Sequence, residues 1–315
     1  MPTPNAPPDD ALIRFRADVA KCGYGGGTAG ICVSGGTDSI ALLLLANATI
    51  GPVKAATVDH RLRAESADEA RFVGEICAQI GVPHEILPLG PPEAGNRSDW
   101  ARRARYGALR DWAARENIAL LMTAHHADDQ LETMLMRLNR GSGVAGLAGV
   151  RMRQADIGRP LLGWRKHELV AVVNACAITA IDDPTNYDDA YDRPRLRKAL
   201  SNIDWLDPKA ASLSAAALAD ANDALDWVAE GLFNSHNEAD SSGLTIALPP
   251  LPTELTRRIV LACIKRINDQ AAPRGAALDR LIEALHDNKI VTLAGVKCSG
   301  GTKWHFTREA PRRAL

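Results

Sequence analysis

The clearest structural signal in this chain is Ser34-Gly35-Gly36-Thr37-Asp38-Ser39, which lies between apolar residues 31–33 and a helix-forming run at 40–46. A short buried strand, a glycine-rich turn and a helix start together form an anion site. Glycine lets backbone N–H groups approach oxyanions, and the helix N-terminus carries partial positive charge. The hydroxyl groups of Ser34, Thr37 and Ser39 add donors. Since the lysine of the G-x-x-x-x-G-K-[ST] motif is missing, the turn predicts a phosphate-binding loop other than the usual P-loop.

Strands and helices alternate on both sides of this turn. Strands are predicted at 30–33, 53–58, 84–87 and 118–123, and helices at 38–47, 66–80, 98–115 and 127–139. This alternation is typical of an α/β domain with a doubly wound, mostly parallel sheet. Sites on such sheets lie at the carboxyl ends of the strands, where we place three motifs: 34–39, 59–63 and 125–129.

The rest of the chain divides into smaller parts. We predict an N-terminal helix and linker at 1–29, the α/β domain at 30–205, a helical connector at 206–240 and a small α+β domain at 241–315. Residues 25–30 spell G-x-G-x-x-G but precede the strand, so they predict a linker and not a dinucleotide site. Residues 141–146 predict a mobile loop. In the last domain we expect a strand at 244–248, helices at 253–269 and 274–286, and a hairpin from 291–296 and 302–307.

Composition limits the classes of function. No apolar run is long enough to span a membrane, and the six cysteines contain no C-x-x-C pair, which suits a reducing cytoplasm. Net charge is −1, yet residues 97–166 contain 13 arginines and lysines against 7 acidic residues. A surface with this surplus can neutralise phosphates of a nucleic acid, although solvated helix faces would give the same count.

Paired carboxylates begin the helix predicted at 127–139. Asp129 and Glu132 are three residues apart and therefore share one helical face. At the mouth of a nucleotide site they could hold an ammonium group or ligate Mg²⁺. The neighbouring His126 could contact phosphate or move a proton. The alternative is an acidic first turn that answers the helix dipole.

The series of motifs resembles a known family. The loop at 34–39 is similar to the SGGxDS pyrophosphate loop of N-type ATP pyrophosphatases, which share the adenine nucleotide alpha hydrolase-like fold. Across residues 30 to about 200 the chain resembles the tRNA(Ile)-lysidine synthetase family. The motifs that carry this resemblance are VDHRLR (58–63), ARYGAL (104–109), TAHHADDQLET (123–133), RGSG (140–143), GLAG (146–149), RPLLG (159–163) and DDPTN (182–186). TLAG (292–295) and WHFTRE (304–309) resemble the family's following domain more weakly.

This resemblance implies an ATP-dependent ligase that joins L-lysine to C2 of the wobble cytidine in the CAU anticodon of tRNA(Ile). ATP adenylates the cytidine O2 and releases pyrophosphate, and lysine then displaces AMP. The implied catalytic residues are Asp38, His126, Asp129 and Glu132. Asp38 would contact the pyrophosphate or its Mg²⁺, and His126 would contact the phosphate or the activated base. Asp129 and Glu132 would face the lysine amine. The implied nucleotide-binding residues are Ser34, Gly35, Gly36, Thr37, Asp38, Ser39, Asp59 and His60.

Basic residues supply candidate contacts to tRNA. Arg102, Arg103 and Arg105 lie along one predicted helix and could follow the phosphates of the anticodon stem. By resemblance, Arg195 and Arg197 belong to a basic strip beyond 182–186. Asp192 and Pro194 depart from that strip, and the C-terminal region is shorter than in longer members of the family. Discrimination against the methionine tRNAs, which share the CAU anticodon, is expected from the helical part and the C-terminal domain.

Other functions share parts of this pattern. A tRNA thiolase of the same superfamily would need paired or persulfide-carrying cysteines, and the cysteines here are dispersed. Ammonia-using GMP and NAD synthetases share the loop but fit the segment 125–130 poorly. A non-catalytic nucleotide- or RNA-binding module would lack ATP turnover that depends on tRNA.

Overall fold

The computed structural model describes residues 4–61, 66–90, 97–181, 192–240, 243–273 and 275–309. The chain forms two compact units, Met1–Ala219 and Asp220–Leu315. The boundary falls inside a long helix, α9 (Pro208–His236), in the segment predicted as a connector. Among the described residues, no helix is both long and apolar enough to cross a membrane.

The first unit is built on a six-stranded sheet. Its strands are β1 (Thr28–Cys32), β2 (Val53–Asp59), β3 (His84–Pro88), β4 (Ile118–Met122), β5 (Arg153–Gln154) and β6 (Ile157–Gly158). Its helices before α9 are α1 (Asp9–Lys21), α2 (Thr37–Thr49), α3 (Ser66–Gln79), α4 (Arg97–Arg115), α5 (Ala127–Leu138), α6 (Val144–Leu147), α7 (Lys166–Ala175) and α8 (Asp192–Leu200). The strand order is β3-β2-β1-β4-β6-β5, and all pairs are parallel except β5 with β6.

Helices cover both faces of this sheet. Side chains alternate along a strand, so Ala55 and Leu120 pack into one core cluster while their neighbours Ala56 and Leu121 pack into another. Residues from α1, α2, α3 and α7 fill the first cluster, and α4 fills the second with the fully buried Trp112. The predicted doubly wound α/β class is confirmed.

Helix α2 is buried on all sides, and this anchors the loop that precedes it. Its residues from Ile40 to Ala46 are buried, and α1 and α7 pack against it. A helix that is apolar all round must lie inside the core. The N-terminus of α2 is therefore held at the carboxyl end of β1.

Gly30 lies where β1 is most crowded. A Cβ at Gly30 would lie 2.7 Å from a methyl of Ile118 and 2.8 Å from the ring of Trp112. We expect Gly30→Ala to lower the free energy of unfolding by about 1–3 kcal/mol, because overpacking forces the neighbours to move. Urea unfolding measures this. Gly25→Ala is the control, since nothing lies within 4 Å of a Cβ there; equal midpoints for the two variants would contradict the prediction.

The second unit combines two helices and an antiparallel sheet with the end of α9. The helices are α10 (Thr253–Ile267) and α11 (Gly275–His286), and the strands are β7 (Asn237–Asp240), β8 (Gly243–Ile246), β9 (Ile290–Leu293), β10 (Val296–Ser299) and β11 (Trp304–Arg308). The strand order is β7-β8-β11-β10-β9. Apolar residues of both helices and of the inner strands, among them Ile259, Leu281 and Phe306, form a separate core.

Three local expectations from the sequence are wrong. Residues 291–296 are not one strand of a hairpin, because Ala294 and Gly295 adopt positive φ angles of 51° and 75° and turn the chain between β9 and β10. Residues 141–146 are not wholly a loop, because α6 begins at Val144. The linker ends earlier than predicted, because Ala29 already pairs with Val53 in the sheet.

Candidate active site

The glycine-rich turn is closed by its own hydroxyl groups. The Ser39 hydroxyl accepts a hydrogen bond from the Ser34 N–H at 3.1 Å and donates one to the Gly36 carbonyl at 2.9 Å. Gly35 has a φ of +89°, and its carbonyl accepts from the N–H of Ile181 at 2.9 Å. Thr37 is the first residue of α2, so the first-turn N–H groups that lack intrahelical partners lie within this loop.

His126 lies at the centre of three carboxylates. Its Nε2 is 3.5 Å from Oδ2 of Asp38 and from Oδ2 of Asp129, and its Nδ1 is 3.5 Å from Oδ2 of Asp128. Burial opposes a charge on the ring, but Asp128 and Asp38 outweigh it and raise the pKa of His126 to about 10. His126 is therefore an imidazolium at neutral pH. The structure brings together three predicted residues, Asp38 after β1 and His126 and Asp129 after β4.

Two cations from the start of α7 contact the same carboxylates. The Lys166 ammonium lies 2.7 Å from Oδ1 of Asp38. The Lys166 N–H donates to Asp128 at 2.8 Å, and Arg165 Nε donates to Asp128 at 3.2 Å. Burial would raise the pKa of Asp38, but His126 and Lys166 lower it. Sequence reasoning missed Lys166, although it closely follows the RPLLG motif.

Glu132 and Asp129 form a second acidic pair, which is bound to Arg197. Arg197 Nε donates to Glu132 at 2.6 Å, and its terminal nitrogen lies 3.1 Å from the other Glu132 oxygen and 3.5 Å from Asp129. Glu132 is only 4% exposed. Burial raises its pKa, and Arg197 only partly offsets that effect. Arg197, predicted as a tRNA contact, thus lies against the carboxylates, although its side chain is 41% exposed. Arg195 on the same helix is also exposed.

Asp59 ends β2 and His60 follows it. Among the described residues, no hydrogen bond or ion pair links these two side chains to the His126 cluster. Asp59 accepts hydrogen bonds from Ser66 at 2.6 Å and from the N–H of Arg61 at 2.9 Å, and these bonds lower its pKa. His60 Nδ1 is buried and has no hydrogen-bond partner among the described residues. Burial, with the charge of Arg105, lowers the pKa of His60, so the ring is neutral at neutral pH.

Two arginines of α4 lie beside an aromatic ring. Arg102 and Arg105 each lie 5.1 Å from the centre of the Tyr106 ring. Arg102 and Arg103 are exposed, and Arg105 is half-buried. These side chains form a basic face on α4. The DDPTN motif at 182–186 and residues 62–63 lie outside the described residues.

The charge on His126 predicts a pH dependence of stability. The pKa of His126 in the folded protein is about 10, above the ordinary value of 6.5. The charged ring therefore contributes its full stabilisation below pH 6.5, and this contribution is lost as the pH rises towards 10. We expect the wild-type protein to lose on the order of 2 kcal/mol between about pH 7 and about pH 9 from this group. His126→Gln should remove that part of the slope, and urea unfolding at both pH values measures it. An unchanged slope in the variant would contradict the assignment of charge.

The carboxylates of the site are potential metal ligands. Among the residues that the structure describes, no group of three or more His, Cys, Asp or Glu side chains could hold a metal ion. Mg²⁺, however, is commonly bound by one or two carboxylates together with substrate phosphates. Asp38, a hard oxygen donor within the phosphate loop, fits that mode.

The sequence of this chain is similar to those of known proteins. A family model described as a PP-loop domain matches residues 14–203. The tRNA(Ile)-lysidine synthase of Zymomonas mobilis subsp. mobilis is 40% identical over 296 residues, which cover 91% of this chain and 90% of that protein. The chain belongs to the tRNA(Ile)-lysidine synthase family. Its relative from Novosphingobium aromaticivorans is 38% identical and covers 96% of this chain and 95% of its own.

A solved structure supports the fold alone. The U34-tRNA thiolase NcsA from Methanococcus maripaludis superposes with a TM-score of 0.53 at 17% identity, over 66% of this chain and 78% of that one. The relatives confirm the tRNA(Ile)-lysidine synthetase family that the sequence motifs predicted. The use of ATP that goes with a PP-loop domain is confirmed with it.

Proposed function

We propose that this protein ligates L-lysine to C2 of the wobble cytidine in a CAU-anticodon tRNA(Ile). In the first step the cytidine O2 attacks the α-phosphorus of ATP, an O–P bond forms, and pyrophosphate leaves. In the second step the lysine ε-amine attacks C2, a C–N bond forms, and the C2–O2 bond breaks. AMP leaves with the cytidine oxygen. The lysine nitrogen enters as an ammonium, gives up one proton before it attacks and a second one, to solvent, after the C–N bond forms, and keeps one N–H in the product.

The acidic pair Asp129 and Glu132 carries this proposal. Two neighbouring carboxylates, one of them buried, are stable only with a cation, and Arg197 supplies one in the free protein. A lysine ammonium has the same charge and fits between the same oxygens. We therefore assign the pair to binding and orienting the incoming lysine.

Proton transfer follows from the charges of the site. His126 is already protonated at neutral pH, so it serves as a donor to phosphate oxygens and not as the base. The raised pKa of Glu132 makes its carboxylate a better base than an ordinary one. We assign to Glu132 the removal of a proton from the lysine ammonium.

The loop at 34–39 is assigned to the pyrophosphate half of ATP. Its backbone N–H groups and the hydroxyl of Thr37 are donors of the type that phosphate oxygens accept. The hydroxyls of Ser34 and Ser39 donate within the turn and hold its shape. Asp38 would hold Mg²⁺, which neutralises phosphate charge when bound. Asp59 and His60 follow the neighbouring strand and are assigned to the same nucleotide.

The basic face of α4 is assigned to tRNA. Arg102, Arg103 and Arg105 are suited to phosphate contacts, and so is the exposed Arg195 on α8. We also place the protein in the cytoplasm, because its six cysteines, all within the described residues, are free thiols.

The thiolase alternative is disfavoured by thiol chemistry. Cys32 ends β1, at the edge of the sheet where the site lies, but burial raises its pKa to about 12. The thiolate is the reactive form of cysteine. Cys32 therefore stays protonated at neutral pH and is unsuited to carry sulfur.

The function is tested with labelled lysine, ATP with Mg²⁺ and a tRNA(Ile) transcript that has the CAU anticodon. We expect lysine in this tRNA and none in a methionine tRNA with the same anticodon. AMP release that depends on tRNA but proceeds without lysine incorporation would show another nucleophile. Absence of both would contradict an enzymatic role.

A further inference from the structure

The phosphate loop lacks a lysine in its own sequence, yet one reaches it from elsewhere in the chain. Lys166 is 128 residues beyond Asp38, and its Nζ lies 2.7 Å from Oδ1 of Asp38. No residue of the loop 34–39 carries a positive charge. We infer that Lys166 binds the pyrophosphate half of ATP, in the role that the motif lysine has in a P-loop. This inference rests on the proposed function, which assigns the loop to the pyrophosphate half of ATP.

The fold holds the backbone of Lys166 in place. It is the first residue of α7, whose buried Leu169, Val172 and Val173 pack that helix against the core. The Lys166 N–H is bound to Asp128 at 2.8 Å. One residue earlier, the Arg165 N–H donates to Glu168 at 2.6 Å. The start of α7 is therefore fixed by two carboxylates and by core packing.

The side chain, in contrast, can change partners. Lys166 is 47% exposed, while Asp38 is 28% exposed. Asp38 also faces His126 through its other oxygen, at 3.5 Å. An arriving pyrophosphate group carries more negative charge than one carboxylate, so the ammonium gains by moving to it. Asp38 then keeps His126 as a partner and has one oxygen released for other ligands.

The neighbouring cations are less suited to this role. Arg165 is bound to Asp128, and Arg197 is bound to Glu132 and Asp129. Lysine also differs from arginine in being a compact point charge on a flexible stem, which suits a mobile polyphosphate. Lys166 is thus placed to follow the pyrophosphate as it forms and leaves.

The test measures binding to the free protein by calorimetry, with inorganic pyrophosphate and with AMP as separate probes. We expect Lys166→Met to weaken pyrophosphate binding by about 10- to 100-fold and to leave AMP binding within about twofold. Lys166→Arg should retain most of the affinity because it keeps the charge. The control is Lys209→Met, since Lys209 is 45% exposed and pairs with Glu168 of the same helix.

Each outcome decides the inference. Unchanged pyrophosphate affinity in Lys166→Met would overturn it, and so would equal losses for pyrophosphate and AMP, which would indicate general damage. Thermal midpoints that match the wild type in both Lys166→Met and Lys166→Arg confirm that the variants fold. If the wild type binds pyrophosphate through Lys166 but transfers no lysine to tRNA, the inference holds and the proposed ligase function fails.

Discussion

Glu132→Gln is expected to lower lysine transfer strongly while ATP is still used to activate the tRNA. The carboxylate is 4% exposed and holds a cation in the free protein. Loss of one partner from a buried charge pair costs about 2–5 kcal/mol. We expect kcat/KM for lysine to fall by about two to three orders of magnitude, since each factor of ten corresponds to about 1.4 kcal/mol. The measurement is labelled lysine incorporation as a function of lysine concentration.

The control for this variant is Glu116→Gln. Glu116 pairs with Lys54 at 2.6 Å, and the two side chains are 29% and 33% exposed. The pair joins the start of β2 to the residues before β4, at the opposite end of the strands from the carboxylate cluster, so lysine transfer should be unchanged. ATP–pyrophosphate exchange in the presence of tRNA should persist in Glu132→Gln. If the variant keeps wild-type kcat/KM for lysine, the acidic pair is not the lysine site.

Gly35→Ala is expected to have the second large effect, on ATP and not on lysine. Gly35 has a φ of +89°, and a Cβ there would lie 2.6 Å from Cδ1 of Ile181. Strain at such a position costs about 1–3 kcal/mol, and the loop must shift to relieve it. We expect kcat/KM for ATP to fall by at least about tenfold, because displaced N–H groups no longer match the phosphate oxygens. ATP–pyrophosphate exchange measures this.

A matched glycine distinguishes loop strain from general damage. Gly231 lies in α9, where nothing is within 4 Å of an added Cβ. Gly231→Ala should therefore leave ATP use unchanged and raise helix stability slightly. Wild-type exchange activity in Gly35→Ala would show that the loop tolerates the shift and would contradict its assignment to pyrophosphate.

Local signals made much of the fold predictable. The strand–turn–helix around residues 34–39 and the regular alternation after it indicated the doubly wound sheet. Asp129 and Glu132 could be paired from helical spacing alone. In contrast, the turn at Ala294 and Gly295 was missed, because an apolar run of this length fits either one strand or two.

Long-range contacts could not be read from spacing. Lys166 reaches Asp38 across 128 residues, and Arg197 reaches Glu132 across 65. Both contacts depend on how α7 and α8 are placed relative to the sheet. A local sequence pattern does not predict that placement. Arg197 was consequently assigned to tRNA phosphates, whereas in the free protein it neutralises the acidic pair.

The most direct test follows the oxygen of the wobble cytidine. A tRNA(Ile) carrying heavy oxygen at O2 of that cytidine is incubated with the protein, ATP and lysine, and both AMP and tRNA are analysed by mass spectrometry. Ligation through an adenylated O2 predicts labelled AMP together with a tRNA that has lost the label and gained lysine. Unlabelled AMP, or a lysine-bearing tRNA that keeps the heavy oxygen, would contradict it.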